Sequence, residues 1–273
     1  MKPSGVFPKT PEMLSSKVII VTGGSAGIGA SIVDACLAAG ASVLSADVSP
    51  PRALAHSDRL ASVVASVSTA EGQRAIVDAA LARFPRIDGL VNNAGVNLAK
   101  DFLATTEGDW DKVLSVDLKG VFFLTQAVVR HALAHGHPLS VVNVSSVHSV
   151  AGVAGAGPYD AAKAGVVGMT RALAVELAPR GVRVNAVSPG LVRTHIWDGL
   201  MAAASDRSAC EAYWDAQSPM GRIIEPAEVA APIVFLLSDG ASAMTGANLL
   251  VDAGMTAQLI STPPFSSSAV GGE

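Results

Sequence analysis

Tyr159 and Lys163 stand four positions apart at the start of a predicted helix. Side chains at this spacing lie on one face of a helix, so the phenol and the ammonium are expected to be neighbours. A free Tyr has a pKa of about 10, and a nearby positive charge lowers that pKa by stabilising the phenolate. Tyr159 could therefore act as an acid/base toward a substrate alcohol or ketone, with Lys163 as its partner.

A glycine-rich turn, Thr22 to Gly29 (TGGSAGIG), follows the first predicted strand and leads into a helix. The glycines permit a tight turn and a close backbone approach to a pyrophosphate, and the helix N-terminus presents free N–H groups. We expect a dinucleotide to bind here; the alternative is an ordinary tight turn. The predicted cofactor contacts in this segment are Gly23, Ser25, Gly27, Ile28 and Gly29.

Asp47 ends the second predicted strand, about 20 residues beyond the glycine turn. A carboxylate at this place can accept hydrogen bonds from both hydroxyls of an adenosine ribose, and it repels a 2′-phosphate. Positions 24–26 hold no Arg or Lys, and Val48 and Ser49 follow Asp47. The sequence therefore favours NAD over NADP; the alternative for Asp47 is a solvated carboxylate at a strand end.

Five motifs occur in order along the chain: TGGSAGIG, NNAG at Asn92 to Gly95, NVSS ending at Ser146, YDAAK at Tyr159 to Lys163, and VNAVSPG at Val184 to Gly190. Each motif alone is weak. Together they make the chain resemble the short-chain dehydrogenase/reductase family from Lys17 to Thr256. The resemblance implies an oxidoreductase that transfers hydride between a nicotinamide cofactor and a secondary alcohol or ketone.

The resemblance also assigns roles to individual residues. It implies that Ser146 holds the substrate oxygen, that Tyr159 transfers the proton, and that Lys163 also binds the nicotinamide ribose. Further implied cofactor contacts are Asn93, Ala94 and Gly95 near the adenosine ribose, and Pro189, Gly190, Val192 and Thr194 near the nicotinamide. For Asn92 and Asn93 the alternative is capping of a strand end in support of the central sheet.

Asp117 departs from the family pattern, which usually has Asn at this position. In the family the residue lies at a helix kink, and its main-chain carbonyl holds a water on the catalytic Lys. The carbonyl survives a side-chain change, but a carboxylate lacks amide donors and adds negative charge close to Lys163. We therefore keep Asp117 among the predicted catalytic residues and expect it to raise the pKa of Lys163.

Two further positions are unusual for the family. Ser66 stands where the family commonly has an Asp that binds the adenine amine. A Ser66 hydroxyl can still accept and the Val67 N–H can still donate, so both are predicted cofactor contacts with modestly weakened adenine binding. Asp160, within YDAAK, replaces a common small residue, and nothing in the sequence explains it.

The substrate side of the site is predicted from the resemblance. His148 lies in the loop that the family runs over the reacting carbon, where 3-hydroxybutyrate dehydrogenases also have a His; those enzymes place a Lys where this chain has Ala156. Asn97 is a second candidate, as in sugar-oxidising relatives. Residues 191–222 are expected to form a mobile lid that contacts substrate through Trp197. The alternatives are hydrogen-bonded loop residues and, for the lid aromatics, packing against a neighbouring subunit.

Alternating strands and helices must position these residues. Apolar runs predict strands at Val18–Val21, Ala41–Ala46, Ala61–Val67, Gly89–Asn92, Ser140–Val144, Arg183–Val187 and Asn248–Val251. Helices are predicted at Ile28–Ala39, Ala70–Phe84, Trp110–Ala134, Tyr159–Leu177, Gly199–Trp214 and Pro226–Leu237. This alternation predicts a single α/β domain, a Rossmann-like doubly wound parallel sheet of about seven strands with helices on both faces. The domain is expected over 16–257, between tails at 1–15 and 258–273.

Composition narrows the possible partners. The 273 residues carry a net charge of -4, half of them are hydrophobic, and no Lys/Arg cluster favours nucleic acid. Cys36 and Cys210 lie far apart without metal-ligand neighbours, so we expect no disulfide, no metal and a reducing compartment. No apolar run has the length of a signal peptide or membrane span, which predicts a cytoplasmic protein without a membrane partner. The resemblance implies a homotetramer.

Three hypotheses about function follow. The first is an NAD-dependent oxidoreductase acting on a sugar, a polyol or a small hydroxy acid. The second is a 3-oxoacyl or hydroxysteroid-type carbonyl reductase, against which the lack of a cation for NADP argues. The third is a non-catalytic dinucleotide-binding protein, and its only support is Asp117, because the set Ser146, Tyr159 and Lys163 is intact.

Overall fold

The computed structural model describes residues 12–51 and 58–259; the predicted tails, 1–15 and 258–273, lie outside these ranges except at their inner ends. Seven strands form one parallel sheet in the order β3-β2-β1-β4-β5-β6-β7. The strands are β1 (Val18–Thr22), β2 (Ser42–Asp47), β3 (Leu60–Val64), β4 (Gly89–Asn92), β5 (Leu139–Val144), β6 (Val182–Pro189) and β7 (Asn248–Val251). The predicted doubly wound sheet is confirmed. Its strand order reverses between β1 and β4, where sheets of this kind open a ligand crevice at their carboxyl ends.

The described ranges contain eight α-helices: α1 (Gly27–Ala38), α2 (Ala70–Arg83), α3 (Glu107–Leu114), α4 (Val121–Ala134), α5 (Gly157–Leu177), α6 (His195–Ala203), α7 (Arg207–Asp215) and α8 (Pro226–Leu237). Helices α1, α2, α4, α5 and α8 pack on the sheet. Strand residues alternate between two cores. Ile19 packs with Ile32 of α1 and Ile233 of α8, whereas its neighbour Ile20 packs with Ile76 of α2 and Leu124 of α4. Because both faces are covered, the strands are apolar on both sides.

The predicted helix over 110–134 is interrupted. A π-helical segment, Ser115–Gly120, separates α3 from α4. It contains Asp117, whose side chain is fully buried, and Gly120, where a side chain would begin 2.8 Å from the Val67 carbonyl oxygen. Single π-helical turns within helices are frequent at functional sites. The interruption points the Asp117 carboxylate inward, where the segment meets α5.

A buried polar chain crosses the middle of the sheet. Asn92 of β4 donates through Nδ2 to Asn143 of β5 at 2.8 Å and to Thr125 of α4 at 2.9 Å. Asn143 in turn donates to Thr170 of α5 at 2.9 Å. A buried amide without partners costs stability, so these bonds fix the register of β4 against β5 and of both helices against the sheet.

Residues 191–222, predicted as a lid, leave the sheet after β6 and return before α8. Their ends are joined by a short parallel bridge between Val192 and Ile224, where Arg193 N–H donates to the Ile224 carbonyl at 2.9 Å. In place of one predicted helix over 199–214, the segment contains α6 and α7, and Asp206 caps α7 by accepting from Ala209 N–H at 2.9 Å. Asp206 is a good N-cap and therefore starts a second helix.

No helix within 12–51 or 58–259 has both the length and the apolar character that a membrane crossing requires.

Candidate functional site

The glycine turn between β1 and α1 has a backbone that side chains would obstruct. Gly23 and Gly27 have φ values of +66° and +54°, a region that favours glycine. At Gly29 a side chain would begin 2.0 Å from the Gly23 carbonyl oxygen, and at Gly24 it would begin 2.3 Å from Ser45 Oγ. The turn therefore presents bare backbone at the start of α1, which has no side-chain cap.

The end of β4 holds this turn in place. Asn93 Nδ2 donates to the carbonyls of Thr22 at 2.9 Å and Gly23 at 3.2 Å. Thr22 Oγ1 in return accepts from the backbone N–H groups of Asn93 and Ala94, each at 3.0 Å. These four hydrogen bonds hold the glycine turn against the NNAG segment.

Asp47 lies at the end of β2 beside the turn, half-exposed. Its Oδ2 accepts from Ser25 N–H at 3.0 Å, and its Oδ1 accepts from Ser49 N–H at 2.9 Å. Ser66 lies just beyond β3, where its hydroxyl bonds Ser68 Oγ at 2.8 Å, and the adjacent Val67 is buried. These features fit a dinucleotide. The bare glycine turn and the uncapped start of α1 could hold its pyrophosphate, and the Asp47 carboxylate could hold a ribose.

Tyr159 and Lys163 meet in the first turns of α5. Lys163 Nζ lies 5.3 Å from the centre of the Tyr159 ring and donates to the Val144 carbonyl at 3.2 Å. Tyr159 is half-buried and Lys163 is buried. Burial lowers the pKa of Lys163, but the charges of Tyr159 and Asp117 outweigh burial and hold that pKa above its ordinary value.

Asp117 contacts the same ammonium from the π-helical segment. Its Oδ2 lies 3.1 Å from Lys163 Nζ, and its Oδ1 accepts from Val96 N–H at 2.8 Å. The contact at Oδ2 is an ion pair without the alignment of a hydrogen bond, and within the described residues Oδ2 accepts no other bond. A side chain at Gly95 would begin 2.8 Å from Oδ2, so glycine there leaves room for the carboxylate.

Ser146 and His148 lie on the turn that follows β5. Ser146 is buried, and its Oγ accepts from His148 N–H at 3.3 Å. The His148 ring stands nearly perpendicular to the Tyr159 ring, with the two centroids 5.1 Å apart. Ser146, His148 and Tyr159, predicted to share the substrate side of one site, thus belong to one local cluster.

Asp160 is a member of this cluster that sequence reasoning left unexplained. Its Oδ1 lies 2.5 Å from His148 Nδ1, and its Oδ2 accepts from Val153 N–H at 3.2 Å. The carboxylate therefore ties α5 to the preceding loop at two points. No periodicity or motif connects Asp160 with His148, so only the folded loop reveals the pair.

The segment after β6 faces the glycine turn. Beyond Pro189, Gly190 N–H donates to the Val251 carbonyl at 2.9 Å, and Val192 is buried beside the bridge to Ile224. A side chain at Gly27 would begin 3.4 Å from Thr194 Cγ2. The predicted nicotinamide contacts and the predicted pyrophosphate contacts therefore stand opposite each other.

The two remaining predicted substrate contacts differ in exposure. Asn97 is exposed after β4. Trp197 is only 2% exposed, and it packs with Met201 and Ile223 in a small core of the 191–222 segment, beneath the Arg193 guanidinium. In the described ranges, no group of three or more His, Cys, Asp or Glu side chains is arranged to hold a metal ion.

Comparison with known proteins identifies the family to which the chain is similar. A sequence profile described as enoyl-(acyl carrier protein) reductase, of the short-chain type, matches residues 23–256. The chain is 36% identical to a 3-oxoacyl-[acyl-carrier-protein] reductase of Thermotoga maritima, over 89% of this chain and 98% of the relative. It is also 36% identical to a D-threitol dehydrogenase of Mycolicibacterium smegmatis, over 89% of this chain and 94% of the relative.

A crystal structure from Agrobacterium tumefaciens has a similar fold. The protein is described there as a candidate 2-deoxy-D-gluconate 3-dehydrogenase with bound NADP; it superposes with a TM-score of 0.80 at 33% identity and covers 92% of this chain and 100% of its own. Profile, relatives and structure agree with the ordered motifs and the seven-stranded sheet. The chain belongs to the short-chain dehydrogenase/reductase family of oxidoreductases.

Proposed function

We propose that this protein is an NAD-dependent oxidoreductase that transfers hydride between nicotinamide and a secondary alcohol or ketone: a sugar, a polyol or a small hydroxy acid. The observation that carries the proposal is the position of Lys163 Nζ, 5.3 Å from the centre of the Tyr159 ring and bound to Asp117 and Val144. A buried ammonium this close to a phenol can stabilise negative charge that forms on the phenol oxygen, and such an oxygen can exchange a proton with a substrate alcohol.

The reaction divides into one hydride and one proton. A nicotinamide dinucleotide held by the glycine turn and Asp47 would supply the hydride acceptor for the carbinol carbon. Tyr159 Oη takes the hydroxyl proton as the carbonyl forms, and the Lys163 ammonium stabilises the phenolate from which this transfer starts. Ser146 Oγ donates a hydrogen bond to the substrate oxygen and so orients it toward Tyr159. In the reverse direction Tyr159 returns the proton to the carbonyl oxygen.

Asp117 adjusts this proton transfer through Lys163. Its carboxylate fixes the ammonium in place but also opposes part of the positive field that reaches Tyr159. Asp117 is a positioning residue in this proposal, and its effect is expected in the pH dependence of turnover.

The preference for NAD rests on Asp47. The carboxylate stands at the end of β2 beside the Ser25 amide, where the adenosine ribose would lie. Its charge attracts ribose hydroxyls and repels a 2′-phosphate. The relative from Agrobacterium tumefaciens holds NADP, so cofactor choice within the family has to be decided by such local charges.

Sugars and polyols are the favoured substrates because a polar side chain lies beside Tyr159 and a second polar residue is exposed nearby in the sequence after β4. His148 stands against Tyr159, and Asn97 is exposed after β4. A relative of similar identity is a D-threitol dehydrogenase. The Trp197 ring is buried in the small core of the 191–222 segment, so its proposed role is to support the residues of that segment that face the substrate.

Reduction of a 3-oxoacyl or steroid ketone is the second candidate. It is favoured by the match to an acyl-carrier-protein reductase profile and by the relative from Thermotoga maritima. The same residues would serve it, with Tyr159 donating its proton. The absence of Arg and Lys at positions 24–26 argues for NAD and therefore for oxidation.

The test is a screen for NADH formation from sugars, polyols, hydroxy acids and hydroxysteroids, followed by the variant Tyr159→Phe. This variant is expected to bind NAD but to lose turnover at least 100-fold, because it lacks the proton-transferring oxygen. Tyr213→Phe is the matched control, since Tyr213 is the other tyrosine of the chain and is exposed on α7. Retained turnover in Tyr159→Phe would overturn the assigned proton transfer.

We also propose a homotetramer and a cytoplasmic location. Exposed Phe122 and Phe123 on α4 and a groove of about 580 Å³ between α4 and α5 support the assembly, because such surfaces are commonly covered by a partner. Cys36 and Cys210 are both free thiols, as is typical of a reducing compartment. Light scattering on the purified protein would measure the assembly.

A further inference from the structure

We infer that Asp160 is a positioning residue that orients His148 so that its Nε2 binds a second hydroxyl of the substrate, next to the hydroxyl that reacts. This inference rests on the proposed alcohol oxidation and specifies its substrate class as vicinal diols. It starts from the 2.5 Å contact between Asp160 Oδ1 and His148 Nδ1.

The contact decides which ring nitrogen carries hydrogen. An ionised carboxylate can only accept, so His148 Nδ1 must donate to Asp160. In a neutral ring Nε2 then keeps its lone pair and accepts a hydrogen bond. Within the described residues, Nε2 forms no hydrogen bond, and about a fifth of the side chain is exposed. Nε2 is thus the nitrogen left for a ligand.

The backbone around this pair keeps the ring in one place. Asp160 Oδ2 accepts from Val153 N–H, and Ser146 Oγ accepts from His148 N–H. The residue assigned to hold the reacting oxygen and the residue that presents Nε2 are therefore on one short turn. Because the rings of His148 and Tyr159 are 5.1 Å apart, a substrate oxygen bound at Tyr159 places its neighbouring carbon within reach of His148.

Charge selects a hydroxyl for this subsite. The Asp160 carboxylate brings a negative charge to this subsite, which disfavours a substrate carboxylate. Ala156, three positions before Tyr159, is buried and offers no cation to offset that charge. A substrate hydroxyl is uncharged, so it can donate a hydrogen bond to His148 Nε2 without repulsion from the Asp160 carboxylate.

The first measurement is the tautomer of His148, read by nitrogen NMR of the full protein labelled in histidine at alkaline pH. His148→Asn assigns the signals. The wild type is expected to show hydrogen on Nδ1, and Asp160→Ala is expected to lose this preference, whereas Asp160→Asn keeps it through the amide oxygen. Hydrogen on Nε2 in the wild type would overturn the proposal.

The second measurement compares cis-1,2-cyclopentanediol with cyclopentanol, which lacks the neighbouring hydroxyl. The ratio of their kcat/KM values is expected to fall about tenfold in Asp160→Ala and in His148→Phe, and to recover in Asp160→Asn. Asp78→Ala, on the exposed side of α2, is the control and should keep the wild-type ratio. An equal ratio in Asp160→Ala and the wild type would overturn the subsite. Because the tautomer is measured without turnover, failure of the proposed oxidation is distinguished from failure of the pair.

Discussion

The Lys163 ammonium lies 3.1 Å from the carboxylate of Asp117, a side chain with no solvent exposure. A buried carboxylate so close to a buried ammonium is strongly coupled to it, because little water screens the two charges. The centre of the Tyr159 ring lies 5.3 Å from the same ammonium. The charges of the three groups therefore interact, and a change of charge at Asp117 alters the electrostatic potential at Tyr159.

Replacement of Asp117 by Asn is expected to move the pH dependence of alcohol oxidation toward acid. Asn removes the negative charge that faces Lys163, so the ammonium stabilises negative charge on the reacting oxygens more strongly, and proton transfer is expected at lower pH. We expect the rising limb of log kcat/KM to shift by about 0.5–1 pH unit. Steady-state rates from pH 6 to 10 measure the shift. An unchanged pH profile would show that the Asp117 carboxylate does not affect proton transfer.

Replacement of Asp117 by Ala separates this effect from a structural one. Ala leaves Lys163 buried without its charge partner, which costs about 3–5 kcal/mol of unfolding free energy. Because the pKa of Lys163 is raised in the folded protein, its contribution to stability holds below its ordinary pKa of about 10.4 and is lost only as the pH rises through the folded value. Urea unfolding of the wild type should therefore show this contribution intact at both pH 6 and pH 8, and the loss in Asp117→Ala is measured against it.

Asp47 is expected to decide between NAD and NADP. Titration of the wild type, followed by fluorescence, should give tighter binding of NAD because the carboxylate repels a 2′-phosphate. In Asp47→Asn the repulsion is absent, and the Kd ratio of NADP to NAD should fall at least tenfold. The Asn oxygen can still accept from Ser25 N–H, so the loop should keep its shape. Tighter binding of NADP to the wild type would contradict the assignment.

The close packing at Gly29 predicts a local loss of cofactor binding. In Gly29→Ala the new methyl group would begin 2.0 Å from the Gly23 carbonyl oxygen, so the turn must move. We expect NAD affinity to fall at least tenfold, measured by the same titration. Gly168→Ala in α5 is the control, because nothing lies within 4 Å of its added methyl group and alanine favours a helix by up to about 1 kcal/mol. Equal NAD affinity in both variants would refute the steric argument.

The ion pair between Arg222 and Glu228 predicts a pH-dependent contribution to stability. Two bonds, at 2.7 and 2.6 Å, join the side chains, and the hydrogen bonds from Arg222 lower the pKa of Glu228 against the opposing effect of burial. A lowered folded pKa stabilises the protein above the unfolded pKa near about 4.3 and loses this effect as the pH falls through the folded value. Glu228→Gln should cost about 0.5–1 kcal/mol at pH 7, after allowance for solvent screening. Urea unfolding should show a smaller cost at pH 4, and a constant cost would exclude the ion pair as the cause.

The order of elements was predictable from sequence because each buried strand is a short apolar run between turns. The ends of elements were less predictable. Strand β3 stops at Val64, not at Val67, because the chain turns there to meet α2, where a side chain on Gly72 would begin 1.9 Å from the Ser66 carbonyl oxygen. The interruption at Ser115–Gly120 was also missed, because the helical pattern was extended over 110–134 as one continuous helix.

Some contacts of the candidate site were likewise predictable from sequence, and others were not. The proximity of Tyr159 to Lys163 follows from their spacing, and the position of Asp47 follows from strand and turn order. The pairing of Asp160 with His148 depends on how the loop between β5 and α5 folds back, which no local pattern encodes. The burial of Trp197 likewise depends on Met201 and Ile223 reaching it from elsewhere in the segment.

The bridge between Val192 and Ile224 has a consequence for the evolution and engineering of this protein. Because the two ends of the 191–222 segment are held side by side, and because the segment has its own small core, its interior can change in length and sequence without altering β6 or α8. The sheet, the glycine turn and the Tyr159–Lys163 pair would then stay unchanged. We therefore expect that residues 195–222 can be exchanged for the corresponding segment of a relative that prefers another alcohol, provided that Val192 and Thr194, the predicted nicotinamide contacts, are kept.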